Sequence, residues 1–298
     1  LDDQCLTIKL TPNRGDCLSA VGLAREVAAI TGAQLRLPEV VPVVVNTQEV
    51  LAVKVRDDDL CGRFSGRVLR GINAQAATPL WMRQRLERSG QRCISALVDI
   101  SNYVMLELGR LTHVFDLDRL HGGLEVRWAR PQEQLVVLSG QTVQLADDVG
   151  VIADGAGVQA LAGIMGGEAT AVSLATTNVY LEAAFWWPQA IAGRTRRFNF
   201  STDAAYRFER GTDYATTAQH LEYLTRLIVD ICGTDATRVG PVDDQVLQLP
   251  RRNAIAMRVA RCCKLLGVPL TQEEMGEAFA RLGFEHRLDG QGQDARWI

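Results

Sequence analysis

The chain has 298 residues, of which 47% are apolar and 22% are charged, an ordinary composition for one large or two average globular domains. Its net charge of −3 excludes a surface coated with positive charge, so any contact with nucleic acid is expected through a local basic patch. The chain lacks a run of about 18 apolar residues and a secretory signal, so no membrane span is expected.

The seven cysteines are odd in number and irregularly spaced, which argues against a disulfide framework and favours a reducing cytoplasm. No C-x-x-C pair occurs, so we expect no structural zinc site. The chain also lacks an initial methionine and ends on a segment typical of the start of a strand. We therefore expect an internal piece of a longer protein.

Residues 1–47 are predicted to form a first, small unit. Alternating apolar residues from Leu6 to Leu10 predict a strand, and Asp16 stands where a helix N-cap would be. Apolar residues at helical spacing follow and Gly32 ends the helix. The prolines at 38 and 42 then predict an extended linker.

Residues 48–245 form the main body. Helices are predicted after Thr78-Pro79, from Asp99 to about Gly109, and from about Asp213 to Cys232. Strands and helices interleave without a βαβ rhythm, which predicts an α/β (α+β mixed) domain with mixed sheets rather than a doubly wound nucleotide fold. The predicted strands are Phe64–Leu69, Leu124–Trp128, Leu135–Leu138, Val149–Ala153, Ala160–Met165 and Val179–Ala184.

Residues 246–298 are predicted to begin a third unit. Val259, Cys263 and Leu266 indicate one helix, and a capping box from Thr271 to Glu274 starts another that ends at Gly283.

Several catalytic signatures are missing. The glycine-rich segment 163–167 lacks the spacing and the lysine of a phosphate loop, and no G-x-S-x-G nucleophile elbow or H-E-x-x-H motif occurs. The four histidines are dispersed, so we expect no metal site. These absences leave a hydrolase that works by positioning its substrate, or a protein that binds without catalysis.

Four stretches, in this order and spacing, make the chain resemble the β subunits of bacterial-type phenylalanyl-tRNA synthetases. They are Leu10-Thr-Pro-Asn-Arg-Gly-Asp-Cys-Leu-Ser19; Val98-Asp-Ile-Ser-Asn-Tyr-Val-Met-Leu-Glu-Leu-Gly109 with His113-Val-Phe-Asp116; Leu161-Ala-Gly-Ile-Met-Gly-Gly167 with Tyr180-Leu-Glu-Ala-Ala-Phe185; and Ser201-Thr-Asp-Ala-Ala-Tyr-Arg-Phe-Glu-Arg-Gly211.

The resemblance implies a layout and partners. Residues 1–47 would be the returning half of the first β-subunit domain, 48–245 the editing domain (third and fourth domains), and 246–298 the start of the fifth. It implies an (αβ)₂ assembly with an α subunit and with tRNA(Phe). ATP and Mg²⁺ would serve the whole enzyme through the α subunit, with no cofactor in this piece.

The resemblance also implies a site that hydrolyses tRNA charged with tyrosine. Glu182 matches the family's tyrosine-reading glutamate, Gly163 and Gly166 would let backbone approach the ring, and Ala204 would line the pocket. Ser101, Asn102 and His113 match the family's catalytic polar residues. The resemblance implies that His113 orients or partly activates water, and that Ser101 and Asn102 hold water and the terminal ribose. The family more often has Thr at Ser101, and Gly-Gln-Pro-Leu-His where this chain has Gly109-Arg-Leu-Thr-His113.

Two sets of residues keep alternatives. Glu182 could instead be a buried acid paired with an arginine. Arg194, Arg196 and Arg197 could contact tRNA phosphates or the α subunit, or join Arg207 and Arg210 in ion pairs with acids. The acids available for those ion pairs are Asp203, Glu209 and Asp213.

Three functions are therefore open. The first is removal of tyrosine from tRNA(Phe). The second is a non-catalytic scaffold for subunit assembly and tRNA docking, and the third is a nucleic-acid-binding module of another enzyme.

Overall fold

The computed structural model of the chain describes residues 4–199, 201–290 and 295–298. By its internal contacts the chain divides into two compact units. Unit 1 comprises the residues up to Ala20 and Glu39–Leu249, and unit 2 comprises Val21–Pro38 and Pro250–Ile298. The division near residue 249 lies close to the predicted one, whereas residues 21–38 group with the C-terminal segment. The assignment of 1–47, 48–245 and 246–298 to three family domains stays a prediction.

The chain forms nine helices and fifteen strands within the described residues. The helices are α1 (Ala20–Thr31), α2 (Leu80–Arg88), α3 (Ala96–Leu108), α4 (Pro188–Ile191), α5 (Arg194–Arg197), α6 (Asp203–Phe208), α7 (Thr217–Cys232), α8 (Val259–Leu266) and α9 (Gln272–Arg281), with short 3-10 turns at Gly15–Cys17 and Leu117–Arg119. The strands are β1 (Val53–Val55), β2 (Cys61–Arg70), β3 (Thr112–Asp116), β4 (Leu124–Trp128), β5 (Gln134–Val136), β6 (Thr142–Gln144), β7 (Gly150–Ala153), β8 (Val158–Leu161), β9 (Met165–Gly166), β10 (Val179–Trp186), β11 (Arg238–Val239), β12 (Asp243–Val246), β13 (Met257–Arg258), β14 (Leu288–Asp289) and β15 (Arg296–Trp297).

Two five-stranded sheets form the body of unit 1. The first has the order β1-β4-β7-β8-β9, with β1 parallel to β4 and the other pairs antiparallel. The second has the antiparallel order β11-β2-β10-β3, and β12 also pairs with β2. This combination of mixed and antiparallel sheets with helices confirms the predicted fold class.

The central strand β10 is buried at every position because both faces of its sheet are covered. Tyr180, Ala184 and Trp186 lie in one apolar core, together with residues of the first sheet. Val179, Leu181 and Ala183 lie in a second core formed with α3 and α7. The near-continuous apolar sequence of β10 follows from this two-sided burial, and Glu182 is its charged exception.

Most predicted elements of unit 1 are confirmed, with shifted ends. The helix expected from Asp99 begins at Ala96, because the Asp99 carboxylate accepts hydrogen bonds from Ile94 N (2.8 Å) and Thr78 Oγ1 (2.5 Å) and does not cap the helix. The helix expected after Thr78 begins at Leu80. The helix expected from Asp213 begins at Thr217, since Asp213 instead accepts from the backbone N–H of Ala215.

Three predictions of local structure are wrong. Residues 6–10 form no strand, and Leu6 is 84% exposed, because no described strand pairs with them. Asp16 is not an N-cap but lies in a 3-10 turn and receives two hydrogen bonds from Arg14. The strand expected over 160–165 is a hairpin, β8 and β9, because Gly163 turns the chain with a φ of +66°.

Unit 2 contains a three-stranded antiparallel sheet of order β13-β15-β14, and α8 and α9 pack beside it. The capping box at α9 is confirmed: Thr271 accepts from Glu274 N (3.1 Å), and Glu274 accepts from Thr271 N (2.8 Å). Among the described residues of both units, no helix is long and apolar enough to cross a membrane.

Candidate functional site

A cavity of about 270 Å³ opens in unit 1 where β3 and β10 of one sheet meet β8 and β9 of the other. Its volume is close to the lower end of the range for small-molecule sites, about 300–1,000 Å³. The helices α3 and α6 close its sides. It is lined by Ser101, Asn102, Met105, Leu111, Thr112, His113, Leu138, Ile152, Ala160, Leu161, Gly163, Ile164, Met165, Gly166, Glu182, Trp186, Thr202, Asp203, Ala204 and Phe208.

All seven residues that the resemblance assigned to catalysis or substrate binding line this one cavity. They come from five separate segments of the chain and are brought together by the pairing of β10 with β3 and by the packing of α3 and α6. Their chemical roles stay predictions. The seven are Ser101, Asn102, His113, Gly163, Gly166, Glu182 and Ala204.

Glu182 and His113 stand directly opposite each other on β10 and β3. Residues opposed in an antiparallel pair point to the same face, with Cβ atoms about 4.5–5.5 Å apart. The sheet register therefore places the Glu182 carboxyl and the His113 imidazole side by side in the cavity, although 68 residues separate them in sequence.

The Glu182 side chain is 6% exposed, and no described residue donates a hydrogen bond to it. Burial raises the pKa of Glu182 to about 8, and the nearby positive charge of Arg110 opposes that rise. The predicted alternative of a direct ion pair is wrong, since no described arginine lies within 4.0 Å of this carboxyl. Glu182 thus presents a carboxyl group without a hydrogen-bond partner to the cavity.

His113 is held as a neutral ring. Burial lowers the pKa of His113 to about 4, so its imidazole ring is uncharged at neutral pH. The residue is half-buried by area, but its Nε2 atom is fully shielded and has no partner among the described residues. The ring packs edge-on against Phe115, with centroids 4.3 Å apart, which fixes its orientation.

Gly166 is the neighbour that the edge of the His113 ring faces. A Cβ at position 166 would lie 2.3 Å from His113 Cε1 and 2.9 Å from Nε2, so only glycine fits there. Gly163 combines a positive φ with close contact to Trp186, whose Cδ1 would be 2.8 Å from an added Cβ. The two glycines therefore allow backbone to form one wall of the cavity.

Helix α3 presents Ser101 and Asn102 to the cavity from consecutive positions. Ser101 Oγ is 3.0 Å from Thr112 O and 2.8 Å from Thr112 Oγ1, so its hydroxyl ties α3 to β3. The Asn102 carboxamide makes no hydrogen bond within the described part of the chain. Asn102 is therefore the side chain of α3 with donors and an acceptor available to a ligand.

Thr202 is a lining residue that the sequence analysis missed. Its hydroxyl donates to Ile164 O (2.9 Å) and accepts from Ala205 N (3.0 Å), so it both caps α6 and anchors that helix to the glycine turn. The signal was the Thr-Asp sequence at a helix start. The anchored helix holds Ala204 at the cavity wall.

The arginines of the 194–210 segment are mostly paired with acids. Arg207 pairs with Asp203 (2.6 Å) and Arg210 with Glu209, as the ion-pair alternative predicted. Arg194 and Arg197 instead pair with an acid that was not expected, Asp148. Arg196 is exposed and makes no ion pair within residues 4–199, 201–290 and 295–298.

The chain belongs to the B3/4 domain family, whose model matches residues 60–233, a segment that contains α3, β3, the glycine turn and β10. It is 59% identical over 290 residues, 97% of its length, to the phenylalanine–tRNA ligase β subunit of Burkholderia pseudomallei (strain 1710b). It is 62% identical over 282 residues, 95% of its length, to that of Cupriavidus pinatubonensis. The resemblance drawn from the four sequence stretches is thereby confirmed.

The chain spans about a third of these relatives, covering 35% of the Burkholderia and 34% of the Cupriavidus subunit. Among solved structures, an N-terminal fragment of the phenylalanyl-tRNA synthetase β subunit from Pyrococcus horikoshii matches 96% of this chain and 78% of that one. The identity is 14% and the TM-score 0.42.

Proposed function

We propose that unit 1 is an editing site that hydrolyses the ester joining tyrosine to tRNA(Phe), within a phenylalanyl-tRNA synthetase. The observation that carries the proposal is the buried carboxyl of Glu182, which lines the cavity and has no hydrogen-bond partner among the described residues. A phenol hydroxyl entering the cavity would supply the hydrogen-bond partner that the protein lacks.

The selectivity follows from one hydroxyl group. A mostly apolar synthetic pocket rejects an added hydroxyl only weakly, by about a hundredfold. A site built to bond that hydroxyl can discriminate the other way by about 10⁴-fold, because the substrate without it leaves a buried polar group unpaired. Glu182 would therefore accept tyrosine and leave phenylalanine on its tRNA.

The reaction is transfer of the aminoacyl group from ribose to water. The water oxygen bonds to the ester carbonyl carbon, and the bond from that carbon to the ribose oxygen breaks. One proton of the water ends on the ribose oxygen, and the other leaves as the amino acid departs as its carboxylate. Rate enhancement would come from holding water and ester in line and from stabilising the oxyanion.

The polar residues of the cavity suit positioning better than proton abstraction. With a pKa of about 4, His113 is too weak a base to take a full proton at neutral pH, but its neutral ring can orient a water. The free Asn102 carboxamide can donate to the ester or to the ribose. Ser101 would keep α3 and β3 in register beneath them.

The rest of the assembly also belongs to the proposal. We expect the piece to work in an (αβ)₂ enzyme in the cytoplasm, with tRNA(Phe) bound across both subunits. ATP, Mg²⁺ and aminoacylation would belong to the α subunit. A closed, polar or occluded pocket around Glu182 would favour the scaffold alternative.

The direct test measures release of tyrosine from preformed Tyr-tRNA(Phe), with Phe-tRNA(Phe) as the second substrate, using the assembled enzyme. We expect clearance of the tyrosyl ester alone. Glu182→Ala should reduce the preference for tyrosine by about 10³-fold or more, since it removes the hydroxyl's partner.

Glu168→Gln is the matched control, because this glutamate is exposed and lies outside the cavity. It should leave both rates unchanged. A wild-type enzyme that leaves Tyr-tRNA(Phe) intact would refute the proposal and favour the scaffold.

A further inference from the structure

Arg110 lies directly behind the wall of the cavity and is almost completely buried, with 1% of its surface exposed. It sits between α3 and β3, two residues before the strand that carries His113. Its Nη1 donates to the carbonyl of Ala184 (3.0 Å), and its Nη2 donates to the carbonyl of Asp213. Its Nε has no partner among the described residues.

The contacts of Arg110 leave its charge without a direct counter-ion. Both of its acceptors are neutral carbonyl groups, and no described carboxylate lies within 4.0 Å of the guanidinium. Burial lowers the pKa of Arg110 to about 10, so it stays protonated at neutral pH. A buried cation without a direct counter-ion favours negative charge nearby.

Glu182 is the carboxyl of the cavity that this cation influences. Arg110 bonds the carbonyl of Ala184, two residues further along the same strand and on the same face as Glu182. Arg110 is also the charged residue that offsets the effect of burial on the pKa of Glu182.

The other ionisable groups around Arg110 and Glu182 do not replace the effect of the Arg110 charge on the pKa of Glu182. His113 is neutral, and Tyr180 and Cys61, buried near Glu182, have pKa values raised well above their ordinary range. Three other ionisable groups interact with the charge of Arg110. They are Asp213, whose charge attracts it; Arg63, held by two hydrogen bonds to Asp244; and His220, whose pKa burial lowers to about 3.

We propose that Arg110 is a positioning residue that sets the charge of Glu182 and thereby the preference of the site for a phenolic ring. The inference rests on the proposed editing function and adds a residue to its selectivity. It assigns to Arg110 no contact with substrate.

The charge of Glu182 matters because it sets the strength of the hydrogen bond that Glu182 accepts from the tyrosine hydroxyl. A carboxylate accepts a hydrogen bond about twice as strong as a neutral acid does, and leaving it unpaired costs more. Ionised Glu182 therefore discriminates between tyrosine and phenylalanine more strongly than protonated Glu182 does. Without the Arg110 charge, ionisation of Glu182 moves to higher pH, by about one unit or more for a nearby cation.

The experiment compares wild type, Arg110→Gln and Arg110→Lys in the assembled enzyme. The ratio of hydrolysis rates for Tyr-tRNA(Phe) and Phe-tRNA(Phe) is measured from pH 6 to 9, after the uncatalysed rate of each ester is subtracted. This ratio does not depend on the fraction of enzyme that is folded. We expect the ratio to rise with pH in wild type. In Arg110→Gln that rise should move up by about one unit, with the ratio at pH 7.5 lower by about tenfold. Arg110→Lys should restore most of the wild-type profile.

Arg63→Gln is the control, since Arg63 is a neighbouring cation whose charge Asp244 already balances. It should leave the profile in place. A second measurement, the titration of the Glu182 side-chain carboxyl by ¹³C NMR, reads the charge of Glu182 without catalysis.

The two readouts separate the two ideas. If wild type shows no tyrosine preference but the NMR midpoint still moves in Arg110→Gln, the editing function fails while the electrostatic coupling stands, and Arg110 loses its role in selectivity. If the editing ratio and the NMR midpoint are the same in Arg110→Gln as in wild type, the proposal for Arg110 is overturned.

Discussion

Two arginine-containing regions of unit 1 use the same charges in opposite ways. At the cavity, the lining residue Glu182 and Arg110 behind it are both buried and not in direct contact, and the pKa of Glu182 is strongly raised. At the surface, Arg197 makes a bidentate contact with Asp148 while both side chains remain largely exposed.

The difference shows that burial, rather than contact distance, decides how much a charge matters. Water and salt screen the exposed pair, and such pairs contribute little to stability. In the cavity wall the low dielectric leaves the interaction unscreened, so a group without direct contact still changes its neighbour's proton affinity. Two of the three experiments below test this contrast, and the other tests the packing around His113 beside Glu182.

The largest expected effect is on stability as a function of pH. Because folding raises the pKa of Glu182 from an ordinary 4.5 to about 8, the folded state holds this proton more tightly than the unfolded state. The contribution is full below pH 4.5 and is lost as pH rises through 8, a change of up to about 5 kcal/mol. Urea unfolding followed by tryptophan fluorescence should show this loss in wild type relative to Glu182→Gln.

Glu168→Gln should keep the wild-type pH dependence. Equal dependence in wild type and Glu182→Gln would mean that Glu182 is ionised normally, and the contrast between the two regions would disappear.

A smaller effect is expected from the steric lock on His113. Gly166→Ala puts a methyl 2.3 Å from the imidazole, which should cost about 1–3 kcal/mol as an overpacked site. The double variant His113→Ala/Gly166→Ala removes the clashing ring. In a double-mutant cycle of urea unfolding, we expect a favourable coupling of about 1 kcal/mol or more. Additive effects would show that the ring is free to move aside.

The smallest effect is expected at the surface. Arg197→Ala should change the urea midpoint little, and any change should vanish in high salt, because the pair with Asp148 is exposed.

If this segment touches tRNA, Arg196→Ala should weaken binding more than Arg197→Ala and reduce the salt slope by about one, since Arg196 makes no ion pair within the described chain. Filter binding at several salt concentrations measures both. Equal losses for the two variants would contradict the idea that Asp148 occupies Arg197.

Much of the local structure could be predicted from the sequence. The capping box at Thr271, the helix ends at Gly32 and Gly109 and the apolar strand around Glu182 follow from rules that act over a few residues. The prediction of a strand at residues 6–10 was wrong because it also used only local sequence. A strand needs a partner to pair with, and an alternating apolar pattern does not show where a partner lies.

The sequence by itself determined which side chains could meet in the site, since all seven proposed residues line one cavity. It did not determine their charges or partners. The register that sets Glu182 beside His113, the closeness of Arg110 to Glu182 and the pairing of Arg197 with Asp148 were decided by the tertiary structure alone. The physical reason is that burial and long-range contact set proton affinity and ion pairing, and neither is encoded in the neighbouring residues of the chain.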